Sequence, residues 1–347
     1  MGLNIREIVS RKEIDISSLK GKIVCVDAFN ALYQFLSTIR QPDGTPLMDD
    51  KQRITSHLSG IFYRNIALIS EGIKLIYVFD GNPPELKSKI HEKRKEFRDS
   101  AKEKYESARK DEDFEMMKKY SSQMIRLNDE MINESKELLE AMGILVVQAP
   151  SEGEAECAYL CKSKKEIYAS VSQDYDSLLF GAPTLIRNLA LSRKKKTMSG
   201  NYVEVAPEII ELKNLLEILE INQEQLICLG ILVGTDYNPK GVPGIGQKRA
   251  LEFVKKFKIP DKIFGEVEEK INALPVEDKF DWKEIFELFK NYETKDIEIK
   301  FPKIDVFKLK KILVDDHDFS EERIYKQIEK LQEFEKEKQQ KNLNKWF

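Results

Sequence analysis

Seven carboxylates stand where a folded chain can use them chemically, directly after short apolar runs or in the turns beyond them. Asp27 ends the run 22–26, and Asp80 ends the run 74–79. Asp174 and Asp176 closely follow residues 167–171. Glu152 and Glu154 come after residues 144–148, within Pro150-Ser151-Glu152-Gly153-Glu154-Ala155-Glu156. Asp236 lies in Gly234-Thr235-Asp236-Tyr237-Asn238. One acid after a strand is unremarkable, because aspartate also opens turns and caps helices. Three strands ending this way form a pattern. In open α/β sheets ligands bind outside the carboxyl ends of the strands, so these acids should converge. As bare anions they would raise one another's pKa values or push the fold apart. Hard divalent cations resolve that conflict, since Mg²⁺ and Mn²⁺ prefer oxygen ligands. Two such ions about 4 Å apart activate water and stabilise the leaving oxygen of a phosphodiester. No Walker lysine or dinucleotide fingerprint follows a strand, which argues against nucleotide-driven chemistry. The acids point to phosphodiester hydrolysis. A plainer reading stays open for some of them: Ser151 and Glu154 have the spacing of a capping box, Glu152 suits a positive helix end, and Asp236 suits a turn.

The acids need elements to hold them. Residues 22–26, 74–79, 144–148 and 167–171 read as buried strands, with helical periodicity over 53–71 and 124–142 between them. Strand alternating with helix predicts an α/β fold, a mostly parallel central sheet flanked by helices. Gly143 is placed to end the second helix. Between residues 85 and 120 the chain carries 12 Lys or Arg and 10 Asp or Glu, too many to bury a sizeable face. That segment predicts exposed helix, and its place after Asp80 suits a lid or gateway. From 204 to 257 the chain reads as helices around Gly241-Val242-Pro243-Gly244-Ile245-Gly246, followed by a mixed region 259–302 and a charged helix 321–338. The run Arg193-Lys194-Lys195-Lys196 reads as a basic hairpin tip.

Composition sets outer bounds. The 347 residues carry 57 Lys or Arg against 60 Asp or Glu, and 41% are hydrophobic. Such a chain can build a core, and its near-neutral balance argues against a chromatin-like polycation. Cys25, Cys157, Cys161 and Cys228 form neither a disulfide framework nor a zinc knuckle, and three scattered histidines offer no zinc triad. No signal-peptide core opens the chain, and no apolar run approaches the roughly 20 residues of a membrane span. The expectation is a cytoplasmic monomer.

The motifs Val26-Asp27-Ala28, Val78-Phe79-Asp80-Gly81-Asn82-Pro83-Pro84, Ala149 to Glu156, Ser172-Gln173-Asp174-Tyr175-Asp176 and Gly234 to Asn238 occur in the order seen in the flap endonuclease family. Nearly the whole chain resembles that family of structure-specific 5′ nucleases with a PIN-like fold, in its archaeal form. The resemblance implies a 5′ flap endonuclease with 5′-3′ exonuclease activity on branched duplex DNA, acting in replication, including Okazaki fragment processing, and in repair. It implies that Asp27, Asp80, Glu152, Glu154, Asp174, Asp176 and Asp236 are ligands of two Mg²⁺ ions, for which Mn²⁺ can substitute. Lys87 and Arg94 match cations that meet the scissile phosphate from a helical arch; seven residues apart, they would share a helix face. Tyr33 matches an aromatic that stacks on a base, although a helical Tyr also suits a core. Gly2, Arg40, Arg64, Glu152, Gly234 and Asp236 match positions associated with DNA.

Gly241, Gly244 and Gly246, with Lys248, resemble a helix–hairpin–helix whose backbone N–H groups meet duplex phosphate. Pro243 and Gln247 depart from the family pattern. The resemblance divides the chain into a nuclease region 1–98, an arch 99–115, a nuclease region with the hairpin 116–258, a helical region 259–338 and a tail 339–347. In that tail Gln340, Leu343, Trp346 and Phe347 have the Gln-x-x-aliphatic-x-x-aromatic-aromatic spacing of sliding-clamp-binding peptides. Two other readings stay open: a relative that acts on bubbles, four-way junctions or plain ends, and a junction scaffold that binds without cutting.

Overall fold

Strands rich in Val and Ile on both faces must be covered by helices on both sides, and the chain folds accordingly. The computed structural model describes residues 3–41, 44–84, 86, 100–101, 103–108, 110, 113–123, 126–189, 194–196 and 202–343. Among these the strands are β1 (Lys12–Glu13), β2 (Ile23–Asp27), β3 (Lys74–Phe79), β4 (Leu145–Gln148), β5 (Ile167–Val171), β6 (Thr184–Arg187), β7 (Lys194–Lys196), β8 (Tyr202–Glu204) and β9 (Glu208–Glu211). The main sheet has seven strands in the order β1-β9-β6-β5-β2-β3-β4. From β4 to β6 all neighbours are parallel, whereas β9 runs antiparallel to β6 and β1 antiparallel to β9. The expected mostly parallel sheet is present. Strand β2 has β3 on one side and β5 on the other, so the chain diverges in two directions from that strand.

Alternation along β2 fixes both faces of the core. Val24 and Val26 pack with Leu32, Phe35 and Phe62 on one side. Cys25 points the other way, into a cluster with Cys157, Leu160 and Cys161. All four cysteines are buried free thiols. A second core joins the N-terminal Leu3 and Ile5 to the helices Gln223–Val233, Gln247–Phe257 and Trp282–Lys290.

Three expectations need correction. Residues 204–257 are not all helical, because Glu208–Glu211 is a strand. The basic run is no hairpin tip: Lys194–Lys196 is itself a strand, paired with Tyr202–Glu204. The charged C-terminal helix starts at Glu321 but runs to Leu343, past the boundary expected at 338. Gly143 does end the helix Asp129–Ala141, at φ +79°.

A buried polar clasp ties the C-terminal part to the N-terminal half of the chain. His317 Nδ1 lies 3.0 Å from Asp49 and its Nε2 lies 3.0 Å from Glu134. With a carboxylate at each nitrogen, both ring nitrogens donate and the ring is an imidazolium. Burial alone would lower its pKa, but the hydrogen bonds to Glu134 and Asp49 raise it. Against the same burial, His317 and His57 hold the Glu134 carboxyl down, at about 2. Arg53 also meets Asp49, at 2.8 Å. A raised imidazolium pKa means stability that is complete below about pH 6.5 and is lost as pH climbs through the folded-state value. The lowered carboxyls act oppositely, losing their contribution only in acid. His317→Ala should therefore cost about 3 kcal/mol near pH 6, with the gap to the parent narrowing by pH 9. Urea unfolding at the two pH values measures this; a gap independent of pH would show that His317 acts only by packing.

Candidate active site

Four parallel strands end on one side of the sheet, and their exits carry six of the seven acids. Asp27 is the last residue of β2 and also caps the following helix, accepting the Asn30 N–H at 3.1 Å. Asp80 leaves β3 and accepts the Gly153 N–H at 2.8 Å, which ties the exits of β3 and β4 together. Only glycine fits at 153, because a Cβ there would lie 2.7 Å from the Asp80 carboxylate. Glu152 is the N-cap of the helix Gly153–Ser163 without a side-chain cap bond, so the capping box based on Ser151 does not form. Glu154 instead accepts from the Ser172 hydroxyl at 2.7 Å, beyond β5. Ser172 also receives the Asp174 N–H at 3.2 Å. Glu156 turns away from the crevice and accepts from the Lys295 backbone at 3.0 Å.

The seventh acid comes from a separate turn. Asn238 accepts from the Thr235 N–H and hydroxyl, at 3.1 and 2.8 Å, and donates to the Ile231 carbonyl at 2.7 Å. That knot follows the helix Gln223–Val233 and holds Asp236 half-buried. Beside it, burial and then the charges of Glu152, Asp176, Asp236 and Glu154 push the Tyr237 phenol far up. The turn thus faces the same acids as the strand exits.

Electrostatics show the crowding. Burial, followed by the charges of Asp27, Asp176 and Asp174, pushes the Glu154 carboxyl well above the ordinary carboxylate range, and the Ser172 hydroxyl opposes this only in part. Among the described residues no three His, Cys, Asp or Glu side chains are gathered closely enough to hold a metal ion as they stand. The side chains brought together are nevertheless all oxygen donors, and their repulsion is the kind a hard cation relieves.

Other expected residues occupy helices and turns of the same fold. Tyr33 is 40% exposed on the helix Ala28–Thr38, open for stacking instead of buried in the core. Arg40 is engaged within the fold, donating to the Leu36 carbonyl at 2.9 Å and the Gly44 carbonyl at 2.7 Å. Arg64 is half-buried on the helix Ser56–Ser70. The helices Gln223–Val233 and Gln247–Phe257 flank the glycine turn as a hairpin requires. Gly241, at φ +57°, has no room for a side chain, since a Cβ would meet the Val233 carbonyl at 2.4 Å. Gly244 and Gly246 are exposed, with Gly246 capping the second helix. Lys248 is exposed and sits 3.3 Å from Glu7, while Gln247 accepts the Glu7 N–H at 3.0 Å. Gly2, Lys87, Arg94, Trp346 and Phe347 lie outside the described residues, as do the side chains of Gln340 and Leu343.

Asn30 was not foreseen. Its side chain donates to Asp174 at 2.9 Å and accepts the Gln173 N–H at 3.0 Å. Its position three residues after Asp27 was a possible signal, but the partner lies 144 residues away. No helix among the described residues is long and apolar enough to cross a membrane.

Comparison with known proteins adds independent findings. Residues 3–101 match the XPG N-terminal domain and residues 143–236 the XPG I-region. Flap endonuclease 1 of Thermococcus onnurineus is 51% identical over 349 residues, spanning 100% of this chain and 99% of that protein. Its counterpart in Pyrococcus furiosus is 50% identical, again over 100% and 99%. The solved flap endonuclease-1 from Methanococcus jannaschii superposes with a TM-score of 0.76 at 39% identity, covering 97% of this chain and 100% of that one. The catalytic core of Rad2 in complex with DNA substrate shares the fold, with a TM-score of 0.65 at 23% identity over 92% and 95% of the two chains.

Proposed function

The chain belongs to the flap endonuclease family of structure-specific nucleases, and from that premise we propose that its acid-lined crevice hydrolyses branched DNA at the root of a 5′ flap. The observation that carries this reading is the gathering of acids from four strand exits and the turn at Asp236. Relatives near half identity over the full length support the flap activity over the junction-resolving and scaffold readings.

Asp27, Asp80, Glu152, Glu154, Asp174, Asp176 and Asp236 would hold two Mg²⁺ ions, or Mn²⁺ in their place. Bound there, these cations would supply an acidified water and neutralise charge on the phosphate. The chain's own groups set the geometry. The Gly153 N–H restrains Asp80, and Ser172 restrains Glu154. Lys87 and Arg94 would add positive charge at the scissile phosphate, and Tyr33 a face on which a base stacks. Gly2, Arg40, Arg64, Gly234 and the hairpin residues Gly241, Gly244, Gly246 and Lys248 would hold phosphates without reading sequence. The reading extends to 5′-3′ exonuclease activity, replication and repair. It further assigns a cytoplasmic monomer with a clamp-binding C-terminus.

A labelled 5′ flap tests the function. Cutting near the branch is expected with Mg²⁺, and binding without cutting with Ca²⁺. Lys87→Ala or Arg94→Ala should lower the single-turnover rate about a hundredfold, with junction affinity changed far less. Equal cutting of unbranched duplex, or cutting in a chelator, would overturn the reading. A loss confined to affinity would make Lys87 and Arg94 binding residues only.

A further inference from the structure

Arg187 ends β6, on the strand beside β5, and reaches beneath the loop that carries Asp174 and Asp176. Its Nε donates to the Gln173 carbonyl at 3.0 Å, and its Nη1 donates to the Tyr175 hydroxyl at 2.6 Å. The guanidinium carbon lies 4.3 Å from the Tyr175 ring centroid. From the neighbouring β9, Glu208 accepts from the same Nη1 at 3.3 Å. The Arg187 side chain is only 14% exposed.

The opposite face of Gln173 is held as well, since Asn30 receives its N–H and binds Asp174. Side chains from two different elements therefore tie both backbone polar groups of Gln173. This matters because Ser172 is the last residue here still bonded across to β6, through the Ile186 carbonyl. Beyond it no strand ladder fixes the loop, which carries Asp174 and leads into Asp176, the first residue of the short helix Asp176–Leu179. Asp174 and Asp176 repel Asp27 and Glu154, and an unrestrained loop would relax by moving them outward.

We propose that Arg187 is a positioning residue for the nuclease reaction, holding the loop from Gln173 to Asp176 so that its two carboxylates are presented for cation binding. This rests on the reading of the acids as cation ligands. A planar fork can meet the Gln173 carbonyl and Tyr175 hydroxyl while lying against the ring, whereas a single lysine ammonium cannot do all three. Charge alone therefore does not replace it.

The test is calorimetric titration of DNA-free protein with Mn²⁺, comparing the parent with Asp174→Ala, Arg187→Lys and Asn30→Ala. Arg187→Lys should weaken Mn²⁺ binding about tenfold, the lower end of what loss of an outer supporting contact costs. The Mg²⁺ concentration for half-maximal flap cleavage should rise by a similar factor, with most of the rate recovered at saturating Mg²⁺. Thermal melting without metal separates this from a general loss of stability. If Asp174→Ala abolishes Mn²⁺ binding while Arg187→Lys retains parental affinity, the positioning role is wrong and the cation site stands. If the parent binds no Mn²⁺, or Asp174→Ala binds it normally, the cation reading fails and the inference with it. Should Arg187→Lys fold poorly, Asn30→Ala, which loosens the other side of Gln173, must show the weakened Mn²⁺ binding or the proposal is rejected.

Discussion

Asp174→Ala should cleave a flapped junction on the order of a thousandfold more slowly than the parent, while binding that junction almost as tightly. The loss is about 4 kcal/mol of transition-state stabilisation. Asp174 is held by Asn30 at 2.9 Å and adds to the charge that Glu154 feels, so its removal opens a gap in the oxygen donor set. Binding should survive for two reasons. The proposed phosphate contacts lie on the hairpin, and deleting an anion cannot strengthen repulsion of DNA. The fold should survive too, because one fewer carboxylate relieves the crowding. Asp80→Ala should behave similarly at the neighbouring strand exit, although it also leaves the Gly153 N–H without its present acceptor. Single-turnover cleavage and a binding titration in Ca²⁺ separate the two quantities. Near-parental rates in Mg²⁺ for both variants would remove these acids from the ligand set.

The acids were legible because their signal is local: a carboxylate directly after an apolar run. The bounds of β3 and β5 agree with the apolar runs 74–79 and 167–171, and β2 differs by one residue at each end. Two-residue β1 is too short to show any period. Glu208–Glu211 has glutamate at both ends and Ile-Ile in the middle, a pattern too brief to separate strand from helix. Its pairing with β6 decides the matter.

Side chains whose partners are distant in sequence were the hardest to read. Ser151 and Glu154 have capping-box spacing, yet the Gly153 N–H is claimed by Asp80 from 73 residues away, and Glu154 is claimed by Ser172. Asn30 and Arg187 likewise act on Gln173 through tertiary contacts. The sheet order brings these groups together, and their local sequence does not identify the distant partner. Tyr33 shows the opposite case: a helical aromatic suited to a core is left 40% exposed because the buried stripe of its helix is supplied by Ala28, Ala31, Leu32, Phe35 and Leu36.

Deleting residues 340–347 should abolish binding to a sliding clamp and any stimulation by it, while flap cleavage without a clamp stays within about twofold of the parent. The C-terminal helix explains why the two effects should separate. It docks through Ile324, Ile328 and Leu331, which are buried in the main core at helical spacing. Gln340 follows the last of these by nine residues, about 13 Å along a helix. Removal of the end therefore leaves those three anchors in place. Gln340 and Leu343 stand three apart within that helix, and the motif continues with Trp346 and Phe347. An aliphatic side chain and two aromatics can enter one apolar pocket on the clamp while Gln340 makes polar contacts beside it. Trp346→Ala/Phe347→Ala should reproduce the loss of clamp binding, because the aromatics supply most of the buried apolar area. Surface plasmon resonance with immobilised clamp, paired with clamp-free cleavage and thermal melting, gives the comparison. A large fall in melting temperature or clamp-free rate would place these last residues in the nuclease core instead.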